Sequence, residues 1–140
     1  MTTLYSPAVG KGVQTRTSLG TNTVIGKYTL AAALAANDVI EMVKIPAGAT
    51  IDEIILDVTE LDTGGSPAIE LDVGDGDDAD RFIDGSVVGK TGGVDRLGAN
   101  LGYKYTETDT IDVKVATGPA TGAATGTITL CVQYHMEGFN

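Results

Sequence analysis

Short apolar runs separated by turn-forming residues dominate this sequence from Thr23 onward. In the segments 67–73, 109–116 and 125–136, apolar and polar residues alternate one by one. Such alternation is typical of antiparallel strands that turn one face to the core and the other to solvent. The pattern predicts eight strands, near 23–30, 38–45, 51–60, 67–73, 80–83, 101–106, 109–116 and 125–136. It therefore predicts an all-β protein built as an antiparallel β-sandwich or barrel.

Composition agrees with this prediction. The 140 residues include 19 Gly and no Trp, and residues that favour sheets and turns outweigh those that favour long helices. A chain of this length forms one domain with one core, which we place in residues 23–140. The predicted core residues are Ile54, Leu56, Val58, Ile69, Leu71, Val73, Ile111, Val113, Val115, Ile128, Leu130 and Val132. On the outward faces, the same alternation leaves aliphatic residues such as Ile25 and Ile55.

Two segments depart from the strand pattern. In 30–36, Leu30 and Leu34 are four residues apart among five alanines, which permits about two helical turns ending at Asn37. Residues 84–100 contain five glycines and are expected to form a long loop without helix or regular strand.

The charge is distributed unevenly along the chain. The first 37 residues contain Lys11, Arg16 and Lys27 and no acid, although the whole chain holds 19 Asp and Glu and has a net charge of -10. Residues 1–22 also lack any sustained apolar period, which predicts an extended basic arm. The arm is either a frayed terminus or a segment that contacts an acidic neighbour, which includes another copy of the same protein.

The charge and hydropathy of the chain also exclude several classes of partner. A strongly acidic body argues against nucleic acid and against anionic lipid, because both attract Lys and Arg. No apolar run approaches the ~20 residues of a membrane span, so a soluble protein is expected.

Few residues in the chain can perform catalysis. The single cysteine and single histidine exclude an internal disulfide and a Cys or His metal cluster within one chain. Cys131 and His135 share a predicted strand, where four residues separate their Cα atoms by roughly 13 Å. They cannot act as a nucleophile and base within one chain, and we expect no enzyme activity.

The sequence Gly89-Lys90-Thr91 resembles the end of a phosphate-binding loop. The glycine upstream of it is Gly85, which leaves three intervening residues where that motif needs four. The residues that follow cannot begin the helix whose N-terminus would hold the phosphate. A glycine-rich surface loop is therefore expected, and no nucleotide cofactor.

The segment from Asp75 to Asp80 is the densest acidic run, and Ca²⁺ prefers oxygen ligands. Compared with an EF-hand loop that starts at Asp75, it has Asp80 where a glycine is required and Ser86 where a glutamate is required. A solvated turn between strands is the expected structure, with a looser calcium loop as the alternative.

Beyond these patterns, the chain resembles the small β-sandwich virion proteins of tailed bacteriophages, in particular capsid decoration or cement proteins. The resemblance runs through Tyr28-Thr29-Leu30, residues 37–51 (NDVIEMVKIPAGATI), 58–62 (VTELD), 73–83 (VGDGDDADRFI) and 126–134 (GTITLCVQY). It implies a jelly-roll-like sandwich, a homotrimer over threefold axes of the shell, and the major capsid protein as partner. It implies no catalytic residues.

Two functions are compatible with this resemblance. The first is a cement protein on the outer capsid surface that joins neighbouring capsomers, with Lys11, Arg16 and Lys27 as candidate capsid contacts. The second is a fibre or tail-tip module that binds a host glycan through loops such as 84–100. The basic arm favours the first, because a cement protein needs a segment that reaches onto the shell.

Overall fold

A computed structural model describes residues 20–136, which form eight strands and one short 3₁₀ helix. The strands are β1 (Thr21–Thr29), β2 (Val39–Ile45), β3 (Ala49–Val58), β4 (Glu70–Gly74), β5 (Ile83–Ser86), β6 (Gly93–Arg96), β7 (Asp109–Thr117) and β8 (Thr127–Met136). The 3₁₀ helix, Val88–Lys90, lies between β5 and β6. None of the helical structure in the described residues is long and apolar enough to cross a membrane.

The strands form two four-stranded antiparallel sheets. Sheet I has the order β1-β8-β3-β6, and sheet II has the order β2-β7-β4-β5. The first strand thus pairs with the eighth, the second with the seventh, the third with the sixth and the fourth with the fifth. Eight strands nested in this way are a jelly roll, so the predicted antiparallel, jelly-roll-like sandwich is confirmed.

The core lies between the two sheets and consists of the inward residues of the alternating strands. All twelve residues predicted from the alternation are buried. The sheets approach most closely at Gly26, where a Cβ atom would lie within 3 Å of the Met42 backbone. Gly26 is therefore needed where edge strand β1 packs on edge strand β2.

The prediction of one long loop at 84–100 was wrong, because this segment contains most of β5, the 3₁₀ helix and β6. The strand predicted at 80–83 lies later, because the chain is still turning at Arg81, whose N–H donates to the Asp78 carbonyl at 3.2 Å. The prediction failed because it took the five glycines as evidence against any strand in this segment. Gly85 and Gly92 have φ angles of +66° and +85° and allow the chain to turn sharply around very short strands.

The strand predicted at 101–106 was also wrong. This segment makes one isolated bridge, between Lys104 and Thr50, and otherwise turns. Asn100 and Gly102 have φ angles of +60° and +83°, which a regular strand cannot accommodate.

The helix permitted at 30–36 does not form. Leu30 and Leu34 are both buried, but the segment is a series of bends that ends at Asn37 with a φ of +70°. The Asp38 carboxylate accepts a hydrogen bond from the Ala35 N–H at 2.9 Å, which stabilises a turn in place of a helical end. Two helical turns are too short to persist when a turn buries the same leucines.

The loops gather at the two ends of the sandwich. The β1–β2, β3–β4, β5–β6 and β7–β8 loops share one end, and the β2–β3, β4–β5 and β6–β7 loops share the other. At the second end β1 begins and β8 finishes, with Thr21 opposite His135. β1 starts two residues before the predicted domain boundary at residue 23, and residues 1–19 of the predicted arm lie outside the described residues.

Candidate functional site

The three candidate contact residues are not all within the described structure. Lys11 and Arg16 lie outside it, whereas Lys27 is exposed on β1. Lys27 is paired across the sheet with Thr129 of β8, which is paired in turn with Asp57 of β3. The structure thus places Lys27 on the outer surface of sheet I, and this surface defines a first candidate site.

We call this surface the threonine face. Its members on β1 and β8 are Thr21, Thr23, Ile25, Lys27, Thr29, Thr127, Thr129, Cys131, Gln133 and His135. Its members on β3 and β6 are Thr50, Glu53, Ile55, Asp57, Val94 and Arg96. Few of these side chains are charged, and Ile25 and Val94 are 63% and 58% exposed.

The outer surface of sheet II, the acidic face, has the opposite character. Its acids are Glu41, Glu70, Asp72, Asp84 and Asp112, and its bases are Lys44 and Lys114. Asp112 is buried to 8% exposure, and its Oδ1 accepts a hydrogen bond from the Thr110 hydroxyl at 2.8 Å. Burial raises the pKa of Asp112, and the nearby carboxylates of Glu41, Asp109 and Asp75 raise it further. Negative charge is therefore concentrated on this surface.

At the end where β1 begins, the acidic run is organised by one buried carboxylate. Asp75 is 3% exposed and receives Arg81 Nε at 2.7 Å, Arg81 Nη2 at 3.2 Å and the Tyr105 hydroxyl at 2.8 Å. It also accepts hydrogen bonds from the N–H groups of Asp77 and Asp78. Burial alone would raise the pKa of Asp75, but these donors, Arg81 foremost, lower it below its usual range.

The partners of Asp75 are fixed by aromatic packing. The Arg81 guanidinium lies 4.1 Å from the centre of the Tyr103 ring, and this ring packs edge-on against Tyr105 at 5.0 Å. Burial and the hydrogen bond to Asp75 raise the pKa of Tyr105 far above its usual range. Asp75 is thus committed to a cation and a phenol of the same chain and is not a solvated turn residue.

A second group of carboxylates lies around the β4–β5 loop, near Asp75. Asp72, Asp80 and Asp84 each have an oxygen within 4.8 Å of the other two. Asp72 is buried, and its Oδ1 accepts the Gly85 N–H at 2.8 Å, whereas Asp80 and Asp84 are exposed. Of these three, only Asp80 belongs to the acidic run considered as a calcium loop in the sequence.

At the opposite end, Asp62 is 1% exposed and accepts five backbone N–H groups. Its donors are Gly64, Ala68, Ile69, Ala120 and Thr121, at 2.7 to 3.2 Å. Burial alone would raise the pKa of Asp62, but these donors together hold it well below its usual range. One carboxylate therefore joins the β3–β4 loop to the β7–β8 loop.

Most amides of the Gly89-Lys90-Thr91 segment are used within its own turn and do not form a phosphate cradle. The N–H groups of Lys90, Thr91 and Gly92 donate to the carbonyls of Val87 and Val88 within the 3₁₀ turn. Gly89 is buried, and a Cβ atom there would lie 3.1 Å from Ile69. This glycine serves the packing of the loop on the core.

Cys131 and His135 lie on the threonine face, as the alternation predicted. His135 Nδ1 is 2.8 Å from Asp52 Oδ1, across the bulge in β3. Cys131 lies between Ile25 and Ile55, its partners on the two neighbouring strands. The imidazole is therefore paired with a carboxylate, and the thiol has aliphatic neighbours.

No protein-family model and no curated protein matches the chain. Among solved structures, it is similar to a chain of the cyanophage Pam1 capsid asymmetric unit, with a TM-score of 0.80 over 98% of this chain and 100% of that one, at 23% identity. It is also similar to a chain of the capsid of Ralstonia phage GP4, at 37% identity over 85% of this chain and 86% of that one, with a TM-score of 0.69. The chain belongs to the bacteriophage capsid-associated proteins. The resemblance noted in the sequence is confirmed at this level.

A third structure, the acid-stable capsid of the Helicobacter pylori bacteriophage KHP30, has a similar fold, with a TM-score of 0.50 at 16% identity over 81% of this chain and 92% of that one. Sequence reasoning found the threonine face through the alternation of β1 and β8. It missed the roles of Asp62 and Asp75, although the Asp75-Gly76 pair is a recognisable turn signal.

Proposed function

We propose that this capsid-associated protein is a cement protein that binds the outer surface of a phage shell and joins neighbouring capsomers. The observation that carries the proposal is the 37% identity to a chain of the Ralstonia phage GP4 capsid, over most of both chains. The polar groups of the fold support a structural role. Its two most elaborate carboxylate sites, at Asp62 and Asp75, are saturated by donors of the same chain.

The basic N-terminal segment is the proposed docking element. Lys11 and Arg16 precede an acidic body, and Lys27 continues the basic character onto the threonine face. Opposite charges steer association and set the orientation of partners, so the segment would bind an acidic part of the major capsid protein. The proposed assembly unit is a homotrimer, which the molar mass measured by light scattering after size-exclusion chromatography tests directly.

Co-sedimentation with empty shells of the source phage, stripped of this protein, tests the function. Deletion of residues 1–19 is the appropriate truncation, because Thr21 and buried Asn22 already belong to β1. We expect the truncated protein to keep its melting temperature and to lose most of its binding to shells. Full binding by the truncated protein would show that the sandwich itself makes the contact with the shell. Loss of folding would show that residues 1–19 belong to the core of the domain.

A charge reversal tests the electrostatic contribution. Lys11→Glu combined with Arg16→Glu should weaken binding mainly at low salt, because exposed charges are screened over ~10 Å at 0.1 M salt. The matched control is Lys44→Glu combined with Lys114→Glu, which changes the net charge equally but on the acidic face. An equal loss of shell binding in the two double variants would indicate an effect of net charge alone. If no form binds shells but the full-length protein binds host cells, the receptor-binding function replaces the cement function.

A further inference from the structure

The two outer faces differ enough to assign one of them to the shell. We propose that the threonine face of sheet I is the surface that lies against the shell, and that the acidic face of sheet II points away from it. The inference rests on the proposed cement function and names the surface that performs it.

The first argument is the cost of removing each face from water. On the acidic face, Asp72 and Asp112 are already partly desolvated, and Glu41 adds to the negative charge around Asp112. Covering this face would remove five carboxylates from water with only Lys44 and Lys114 to compensate their charge, which is costly. The threonine face carries mostly hydroxyl and aliphatic groups, which lose much less on burial.

The second argument is the apolar centre of the threonine face. Ile25 of β1, Cys131 of β8 and Ile55 of β3 lie directly side by side in the strand register. On β6, Arg96 lies opposite Ile55, and Val94 lies opposite Asp57, diagonally from Ile55 on the same face. With Ile25, Val94 is among the most exposed large apolar side chains of the described residues. Contiguous exposed apolar groups with a polar rim mark protein interaction surfaces.

The third argument is where the remaining chain enters the sandwich. The nineteen residues before Gly20 lead into β1, the edge strand of sheet I. β1 also carries exposed Lys27 on the threonine face. Lys27 and the apolar centre therefore face a partner from the same side of the sandwich.

The area of the face suits a partner that also receives the N-terminal segment. Three strands of nine or ten residues and one of four, 4.8 Å apart, cover roughly 500 Å². A stable interface covers about 800 Å² on each partner, so the face alone supplies more than half of the usual size. The occupant that fits is a protein surface with an apolar patch bordered by acidic groups that complement the basic segment.

The single cysteine is a natural probe of this face. The full-length protein would be treated with N-ethylmaleimide, free and bound to stripped shells, and the alkylation of Cys131 would be followed by mass spectrometry. We expect alkylation to be about tenfold slower on shells than in free protein. Equal rates in the two states would overturn the inference, as would protection already present in a free oligomer, which would make the face a contact between copies.

Two substitutions give an independent measurement that does not depend on thiol reactivity. Ile25→Asp and Val94→Asp place a carboxylate within the threonine face, and each should weaken binding to shells about tenfold. The matched control is Val39→Asp on the acidic face, where Val39 is 55% exposed. All three variants should keep the melting temperature of the wild type within a few degrees, because the side chains are exposed.

The outcomes separate this inference from the proposed function. If wild-type protein binds shells but Ile25→Asp and Val94→Asp bind as well as Val39→Asp, the cement function stands and the assignment of the face is wrong. If wild-type protein binds no shells, the proposed function fails and the assignment of the face fails with it.

Discussion

The two ends of the sandwich each contain a buried aspartate, but the two carboxylates are satisfied by different means. Asp62 is surrounded by five backbone N–H groups and has no cationic partner among its hydrogen bonds. Asp75 binds an arginine and a tyrosine in addition to two backbone N–H groups. The first end therefore depends on the shape of its loops, and the second on particular side chains brought together from distant positions.

The largest effect is expected at Asp62. Asp62→Ala would leave five backbone donors without their acceptor in two loops that are 58 residues apart in sequence. We expect the melting temperature to fall on the order of 15 °C, measured by calorimetry or circular dichroism. Asp62→Asn keeps one acceptor oxygen, so its melting temperature should lie between those of the wild type and the alanine variant. A loss of only a few degrees in the alanine variant would show that water replaces the carboxylate.

The next effect concerns Asp75. Asp75→Ala would leave the Arg81 guanidinium, which is 14% exposed, without its carboxylate, and should cost about 3 kcal/mol of unfolding free energy. In a double-mutant cycle with Arg81→Met, the second substitution should cost much less once the first is made. Additive losses of unfolding free energy would show that Asp75 and Arg81 act independently. The Asp75 end would then not depend on a specific pair of side chains, and the contrast with the Asp62 end would not hold.

Acid should reduce the contribution of Asp62 to stability within a defined range of pH. Its pKa is lowered on folding, so its stabilising effect is complete above the unfolded value of about 4 and is lost as the pH falls toward the folded value. The difference in melting temperature between wild type and Asp62→Asn should be constant from pH 7 to 5 and should shrink below about pH 4. A difference that is independent of pH would contradict this assignment.

Alkali should distinguish the two ends. The pKa of Tyr105 is raised on folding, so its contribution is complete below about pH 10 and is lost as the pH rises above this value. Tyr105→Phe should cost about 1.5 kcal/mol at neutral pH and less above pH 10. None of the hydrogen bonds of Asp62 comes from a phenol, so the difference between wild type and Asp62→Asn should not change above pH 10.

The smallest effect is expected from metal removal. Because Asp75 already has Arg81 as its cation, EDTA should change the melting temperature by no more than a few degrees. A large decrease that Ca²⁺ restores would instead identify the group of Asp72, Asp80 and Asp84 as a metal site. Asp84→Asn, at an exposed position, would then abolish the restoration.

The sequence predicted the long strands of the two sheets better than the loops and short strands toward the ends of the sandwich. Alternation is a local signal, so it identified the inward residues of β3, β7 and β8 correctly. The short strand β5 was misplaced and β6 was missed, because four residues that include a glycine show too little periodicity to be recognised.

The buried aspartates could not be recognised as such because each has a partner that is distant in sequence. Tyr105 lies 30 residues from Asp75, and Ala120 lies 58 residues from Asp62. Within the acidic run, Asp75 differs from its neighbours through its hydrogen bonds from Arg81 and from the Tyr105 hydroxyl, and the second of these depends on tertiary packing. For the same reason the alternation located the threonine face but not the partner that covers it.

The place of β8 in sheet I affects how the protein is made. β8 lies between β1 and β3, although β1 is synthesised first and β8 last of the eight. While the ribosome is still translating β8, sheet I lacks the strand that joins β1 to β3, and β1 has no partner within its sheet. Long-range pairing of this kind slows folding and exposes strand edges. Stalled or truncated chains that lack β8 should therefore aggregate, and assembly onto shells can begin only after translation has passed Met136.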